Sequence, residues 1–217
     1  MSSRSFNLII DSKISSFKKN IKVDPDKSLS IRSFLIGALC QNLSIANNVL
    51  ESDDVFSTIE CLKKLGVKIK KIRPKKYIIY GKGLGSLYLK KNGKLNFGNS
   101  GTLARLLIGI LSTTPGIQAN LKGDHSLNRR SMKSIIKLMN KFGASFVPKK
   151  KINFPLKLIS SEMPIGVNYK AGVSAQLKSA VMLAGLNSYG NTTITETQRS
   201  RNHTENLLLD NKHIIII

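Results

Sequence analysis

Leu95-Asn96-Phe97-Gly98-Asn99-Ser100-Gly101-Thr102-Leu103-Ala104-Arg105 is the stretch whose reading decides the fold. A short strand-like segment gives way to three small residues, Gly98, Ser100 and Gly101, with Asn99 among them. These open directly into an apolar helical run from Leu103 to Leu111. Bare backbone N–H groups and the positive end of a helix dipole then meet at one accessible point, where an anion can sit. Glycine at 98 and 101 lets a ligand approach the backbone without meeting a Cβ. The segment reads as a cradle for phosphate or carboxylate.

The pattern occurs three times. Asp26-Lys27-Ser28 leads into Leu29-Ser30-Ile31-Arg32, and Ser174-Ala175-Gln176 leads into Leu177-Lys178-Ser179-Ala180. Aligning Gly37, Gly109 and Gly185, which lie 72 and 76 residues apart, places Asp26-Lys27-Ser28, Gly98-Asn99-Ser100 and Ser174-Ala175-Gln176 at matching helix starts. A second helix follows in each unit. Val55–Leu65 and Met132–Phe142 each close at a glycine, Gly66 or Gly143, and run straight into a strand. The third copy begins its second helix at His203–Leu209 and stops. Repeats of this length reuse one supersecondary unit. The order within each is strand, helix, strand, helix, strand, strand, so an α/β (α+β) fold of three βαβαββ units is expected, the third incomplete.

At 217 residues the chain can bury a substantial core, and no apolar run reaches the length of a membrane span. The first twenty residues, with Asp11 and scattered Ser and Lys, lack the apolar centre of a secretory signal. Cys40 and Cys61 are the only cysteines, and both sit in apolar helical contexts, which reads as two buried thiols in a reducing compartment. His125, His203 and His213 show no metal-ligand spacing, so no metal is expected. The formal charge of +23 raises nucleic-acid binding as a possible function. Yet the lysines are dispersed among Ile and Asn, Trp is absent, and no aromatic stacking platform interleaves them. A positive field that steers a small anionic substrate uses the same charge. The basic surplus is expected to matter around Lys27, Arg32, Arg105, Arg130 and Arg201, with the other lysines solvated.

Five ordered motifs carry a resemblance. They are Asp26-Lys27-Ser28-Leu29-Ser30-Ile31-Arg32, Gly98-Asn99-Ser100-Gly101-Thr102, the run from Gly123 to Met132, Ser174-Ala175-Gln176-Leu177-Lys178-Ser179-Ala180, and Ser200-Arg201-Asn202-His203-Thr204-Glu205. Over about 21–209 the chain resembles the N-terminal half of the 5-enolpyruvylshikimate-3-phosphate synthase family, the enolpyruvyl transferases of the shikimate pathway. The family fold implied is two lobes, each of three βαβαββ units, with the active site between them. The division expected is an N-terminal segment at 1–20, a truncated first lobe at 21–209, an aberrant tail at 210–217, and an absent second lobe.

The resemblance implies an activity: transfer of the enolpyruvyl group of phosphoenolpyruvate to the 5-hydroxyl of shikimate 3-phosphate, a step of chorismate and aromatic amino-acid biosynthesis. It implies shikimate 3-phosphate contacts at Lys27, Ser28, Arg32, Ser174, Ala175, Gln176 and Arg201. Phosphoenolpyruvate contacts are implied at Lys27, Gly101, Arg130 and Gln176, with Asn99 and Thr102 shaping the turn. On the residues alone, Ser28 would be only an N-cap and Arg32 a surface charge. Ser131 stands where the family usually has proline, and Asn202 where it usually has aspartate. His203 and Glu205 read as cap or helix-surface residues. The proton-transfer groups of the family come from its second lobe, so no catalytic residue is expected here, and the chain should bind substrate but be inactive alone. No cofactor is implied, and the full-length form is expected to be a cytoplasmic monomer that binds neither membrane nor specific nucleic acid. Two other readings stand beside it: a non-catalytic basic binding protein for nucleic acid or an anionic ligand, and a relative of UDP-N-acetylglucosamine enolpyruvyl transferase.

Overall fold

The computed structural model describes residues 23–91 and 93–209, together with Ile9, Asp11 and Asn20. The expectations for the 210–217 tail, and for nearly all of the 1–20 segment, lie outside these residues. The middle unit is complete. It runs β4 (Lys94–Asn96), α3 (Gly101–Ser112), β5 (Gln118–Lys122), a short α4 (His125–Arg129), α5 (Lys133–Lys141), β6 (Ser145–Val147) and β7 (Leu156–Ile159). Ahead of it lie α1 (Lys27–Leu39), β1 (Leu43–Asn47), α2 (Asp53–Lys64), β2 (Lys68–Arg73) and β3 (Lys76–Tyr80). After it come β8 (Asn168–Ala171), α6 (Ala175–Gly185), β9 (Thr193–Glu196) and α7 (His203–Leu208).

Sheet topology makes the repeat explicit. In the middle unit β4 pairs parallel with β5, and β7 inserts antiparallel between β5 and β6. The first unit repeats the second half of that order as β1-β3-β2, both pairings antiparallel. The third repeats the first half as the parallel pair β8-β9. Three copies of one unit follow one another as the motif spacing predicts, but among the described residues only the middle one is whole: the first shows no strand before α1, the third no strands after α7, and α4 is an addition in the middle copy.

The true register differs from the glycine alignment. The helix caps are Asp26, Ser100 and Ser174, 74 residues apart in both intervals, and each side chain accepts from the N–H of a leucine three residues on: Leu29, Leu103 and Leu177. The conserved feature of the unit is therefore the cap and its leucine, and Gly109 sits two positions nearer its cap than Gly37 and Gly185 do. Capping satisfies one of the orphan N–H groups at each helix start and leaves others pointing outward.

Each outer helix is amphipathic. In α5, Ile135, Leu138 and Met139 are buried, and in α2, Val55, Ile59 and Leu62, the spacing of one helical face. Gly66 and Gly143 end these helices at φ +86° and +93°, a conformation L side chains rarely adopt, and each passes the chain into the following strand region. Asp53 and Asp54 open α2 and Lys63 and Lys64 close it, matching the helix dipole. α3 is different, being buried on every side but that of Arg105. It forms the centre of the core, packed against α6, α5 and α1. At its crossing with α6 a Cβ built on Gly109 would lie 2.5 Å from the Ala180 carbonyl oxygen. The two backbones can approach that closely only because residue 109 has no side chain.

Two expectations fail here. Cys61 is buried, its thiol bonded to the Asn96 carbonyl and pushed up to about 12 by burial, but Cys40 caps the C-terminus of α1 and is exposed. The apolar run around Cys40 ends at Leu39, so the next residue already faces solvent. Not every lysine outside the expected basic cluster is solvated either: Lys178 is 2% exposed.

Gly109→Ala should force α3 and α6 apart at a cost of about 1–3 kcal/mol, lowering the melting temperature by several degrees. Gly172→Ala, where a Cβ meets nothing within 4 Å, should leave it unchanged. Glu51 ties the first sheet together, accepting from the Tyr77 hydroxyl at 2.7 Å and the Lys75 backbone at 3.1 Å while pairing with Lys71 at 2.9 Å. These donors, Lys71 first, hold its carboxyl at about 2. A depressed folded-state pKa contributes stability that is present above the ordinary glutamate range and lost as pH falls towards 2. Glu51→Gln should therefore flatten the loss of melting temperature across that acid window, measured by circular dichroism.

Candidate functional site

The three capped helix starts converge. One cleft of about 610 Å³ is lined by Lys27 from α1, Gly101, Thr102 and Arg105 from α3, and Gln176 from α6. Asp54 from α2, Asn99 from the turn before α3, and Arg130 at the end of α4 complete it. Seven residues singled out from the sequence (Lys27, Asn99, Gly101, Thr102, Arg105, Arg130 and Gln176) thus meet in one place, though they are spread over most of the chain. Three helix N-termini at one cleft add their partial positive charges where an anion would lie.

The side chains are held in defined poses. Gln176 bridges two elements: its Nε2 donates to Thr102 Oγ1 at 2.9 Å, and its Oε1 accepts from Arg105 at 2.9 Å. Arg105 also donates to the Gly101 carbonyl at 3.1 Å. Arg130 donates to Asn99 Oδ1 at 2.6 Å and to Ser126 Oγ at 3.3 Å. A Cβ on Gly101 would come within 2.9 Å of the Arg105 guanidinium and 3.4 Å of that of Arg130, so glycine here keeps both cations at the backbone. Ser131 in place of proline does not leave the Arg130 loop untethered. The Met132 N–H donates to the Ile152 carbonyl at 2.7 Å, and Asn153 donates to the Arg129 carbonyl at 2.9 Å.

Ser28, Arg32, Ser174, Ala175 and Arg201 do not line this cleft; they belong to the helix starts and turns beside it. Asp26 is the cap of α1, so Ser28 is the second helical residue and not a cap. Arg32 is not a surface charge. It is 3% exposed, and its guanidinium donates to Thr204 Oγ1 at 2.8 Å, Ser179 Oγ at 3.1 Å and the Ser28 carbonyl at 3.1 Å. Ser174 caps α6 and Ala175 is its first residue. Arg201 is exposed, one position before the Asn202 cap of α7.

The electrostatics single out two like-charged pairs. Burial pulls the Arg32 guanidinium down, and the positive charge of Arg201 adds to the effect. Burial does the same to Arg105, with Arg130 adding to it. Like charges close together in a partly desolvated place raise each other's cost unless an anion lies between them. Asp54 is the carboxylate lining the cleft among the described residues, and it lies 3.1 Å from Lys27. The other described lining side chains are cationic, amide or hydroxyl groups, so the cleft presents an excess of positive charge and hydrogen-bond donors. Arg105 belongs to the basic cluster expected from the sequence, though no substrate contact is implied for it there, and Thr204 carries no expected role at all. Arg105 follows the Gly98–Gly101 turn by one helical turn, a spacing that marks it in the sequence, whereas Thr204 acquires its role only through packing 172 residues from Arg32.

Glu205 is also more than a surface residue: with Glu196 it forms an ion pair with the buried Lys178. His203 is the first, partly buried residue of α7. Among the described residues no cluster of three His, Cys, Asp or Glu could hold a metal ion, and no helix is long and apolar enough to cross a membrane.

Residues 12–213 match the family described as EPSP synthase (3-phosphoshikimate 1-carboxyvinyltransferase). The 3-phosphoshikimate 1-carboxyvinyltransferase of Paramagnetospirillum magneticum is 39% identical over 187 residues, which is 86% of this chain and 42% of that protein. The enzyme of the same name from Bacillus subtilis is 39% identical over 197 residues, 90% of this chain and 45% of its own length. Among solved structures, EPSP synthase from Acinetobacter baumannii superposes with a TM-score of 0.80 at 34% identity, covering 87% of this chain and 42% of that one. The chain spans less than half the length of these relatives. Sequence, topology and the convergence of three helix starts agree: the chain belongs to the EPSP synthase family.

Proposed function

We propose that this chain is the substrate-binding half of an enzyme that joins the 5-hydroxyl of shikimate 3-phosphate to C2 of phosphoenolpyruvate. In that reaction a C–O bond forms at C2, the bond from C2 to the phosphate oxygen breaks, and the hydroxyl proton ends on the inorganic phosphate released. The observation that carries the proposal is the pair of like-charged arginine sets, Arg105 with Arg130 and Arg32 with Arg201, beside converging helix starts. Two multiply anionic substrates need such cations to lie side by side. Lys27, on the cleft wall with Asp54 as its counter-ion, is suited to bridge them once they displace that carboxylate.

On this assignment, Arg130 grips phosphoenolpyruvate through a bidentate fork, with the Gly101 backbone beneath it. Gln176 and Lys27 touch both substrates, and Ser28, Arg32, Ser174, Ala175 and Arg201 take shikimate 3-phosphate. Proton transfer falls to groups in the part of the relatives' length that these residues do not span. Half a site leaves both substrates hydrated, which removes most of the charge stabilisation a closed site supplies. We take the working enzyme to be a cytoplasmic monomer that needs no cofactor.

Calorimetry on the 217-residue chain should show weak binding of shikimate 3-phosphate, lost in Lys27→Ala, and a phosphate-release assay should show no turnover. Turnover at the rate of full-length relatives would overturn the division of labour. Inorganic phosphate alone should also raise the melting temperature, by an amount that grows with the logarithm of its concentration. Gln176→Glu, which places a carboxylate against Arg105 and inside the cradle, should abolish that rise.

A further inference from the structure

We infer that Lys178 is a positioning residue, whose ion triad with Glu196 and Glu205 holds Arg201 and the Arg32 guanidinium in place for a phosphate-bearing substrate. This rests on the function proposed above, but its geometry stands independently. Lys178 lies on α6 at 2% exposure, with Nζ 2.9 Å from Glu196 Oε1 at the end of β9 and also paired with Glu205 Oε1 on α7. Glu196 further accepts from the Ser200 backbone at 3.1 Å and its hydroxyl at 2.7 Å. One buried ammonium therefore ties down both ends of the segment from Glu196 to Glu205, and Arg201 lies within that segment.

The connection continues to Arg32. Thr204, beside Glu205 and fully buried, donates its hydroxyl to Ser179 Oγ at 2.8 Å and accepts from Arg32 Nε at 2.8 Å. Ser179, beside Lys178, accepts from Arg32 at 3.1 Å and donates to the Ala175 carbonyl at 2.7 Å. α7 has six residues, too few to be stable on helix propensity alone, so its place depends on such anchors. A buried lysine is tolerated only where it is paired. Burial alone would lower the Lys178 pKa, but its two glutamates outweigh that and raise it, so it stays charged. The triad carries one net negative charge, and its Glu205 counters part of the positive charge that Arg201 brings to Arg32.

The test uses the 217-residue chain with Lys178→Met, which keeps the stem and removes the charge. The side-chain Nε–H signal of Arg32, observed by NMR without ligand, should be sharp in the original chain. It should be lost in Lys178→Met while the amides of α1 and α3 stay protected. Shikimate 3-phosphate should bind about tenfold more weakly, within the coupling range of residues in one hydrogen-bond network. Adding Arg201→Ala to Lys178→Met should cost nothing further. Retention of the Arg32 signal in folded Lys178→Met, or losses from Lys178→Met and Arg201→Ala that multiply, would overturn the inference. If Lys178→Met does not fold, Glu205→Gln is judged by the same measurements. If the original chain fails to bind shikimate 3-phosphate, the proposed function falls, and the Arg32 signal still decides the positioning role.

Discussion

Everything in this molecule depends on how closely α3 and α6 approach. α3 is buried on nearly every side, and it meets α6 at Gly109 with backbone almost against backbone. That contact brings the starts of both helices, with that of α1, to one cleft. Each unit's sheet lies against its own helices, so the three sheets serve to hold the three helix starts together.

Convergence has an electrostatic cost. Three positive helix ends and the cations Lys27, Arg105 and Arg130 crowd one place, and burial weakens the solvent screening that would make them tolerable. The structure offsets part of this with neutral or single-charge partners: Gln176 on Arg105, Asn99 on Arg130, Asp54 on Lys27. None of these neutralises the cleft. The residual positive potential favours an anion over a cation in the cleft.

Much of this was legible in the sequence, because the repeat is written in local signals. A cap residue, an apolar helix, a closing glycine and a strand each leave a mark within a few positions, so the three units and the turn at 98–102 are legible in the sequence. The glycine alignment places the middle cap two residues early, since Gly109 answers to the α6 contact and not to the position of its own cap. What could not be read is what long-range packing creates. Arg32 looks like any charged residue on a helix, and its burial depends on Ser179 and Thr204, 147 and 172 residues away. Lys178 and Glu205 likewise look solvated in a lysine-rich chain and meet only because α6 and α7 dock.

The two cysteines end up in opposite circumstances, and that has a use. Cys61 is shielded, and its thiolate is unavailable at neutral pH, while Cys40 sits exposed at the far end of α1 from Lys27. A helix of 13 residues separates the two positions by roughly 20 Å. A maleimide dye would therefore attach at a single place, rigidly linked to the wall of the cleft yet outside it. The unaltered chain carries its own attachment point for a fluorescent reporter.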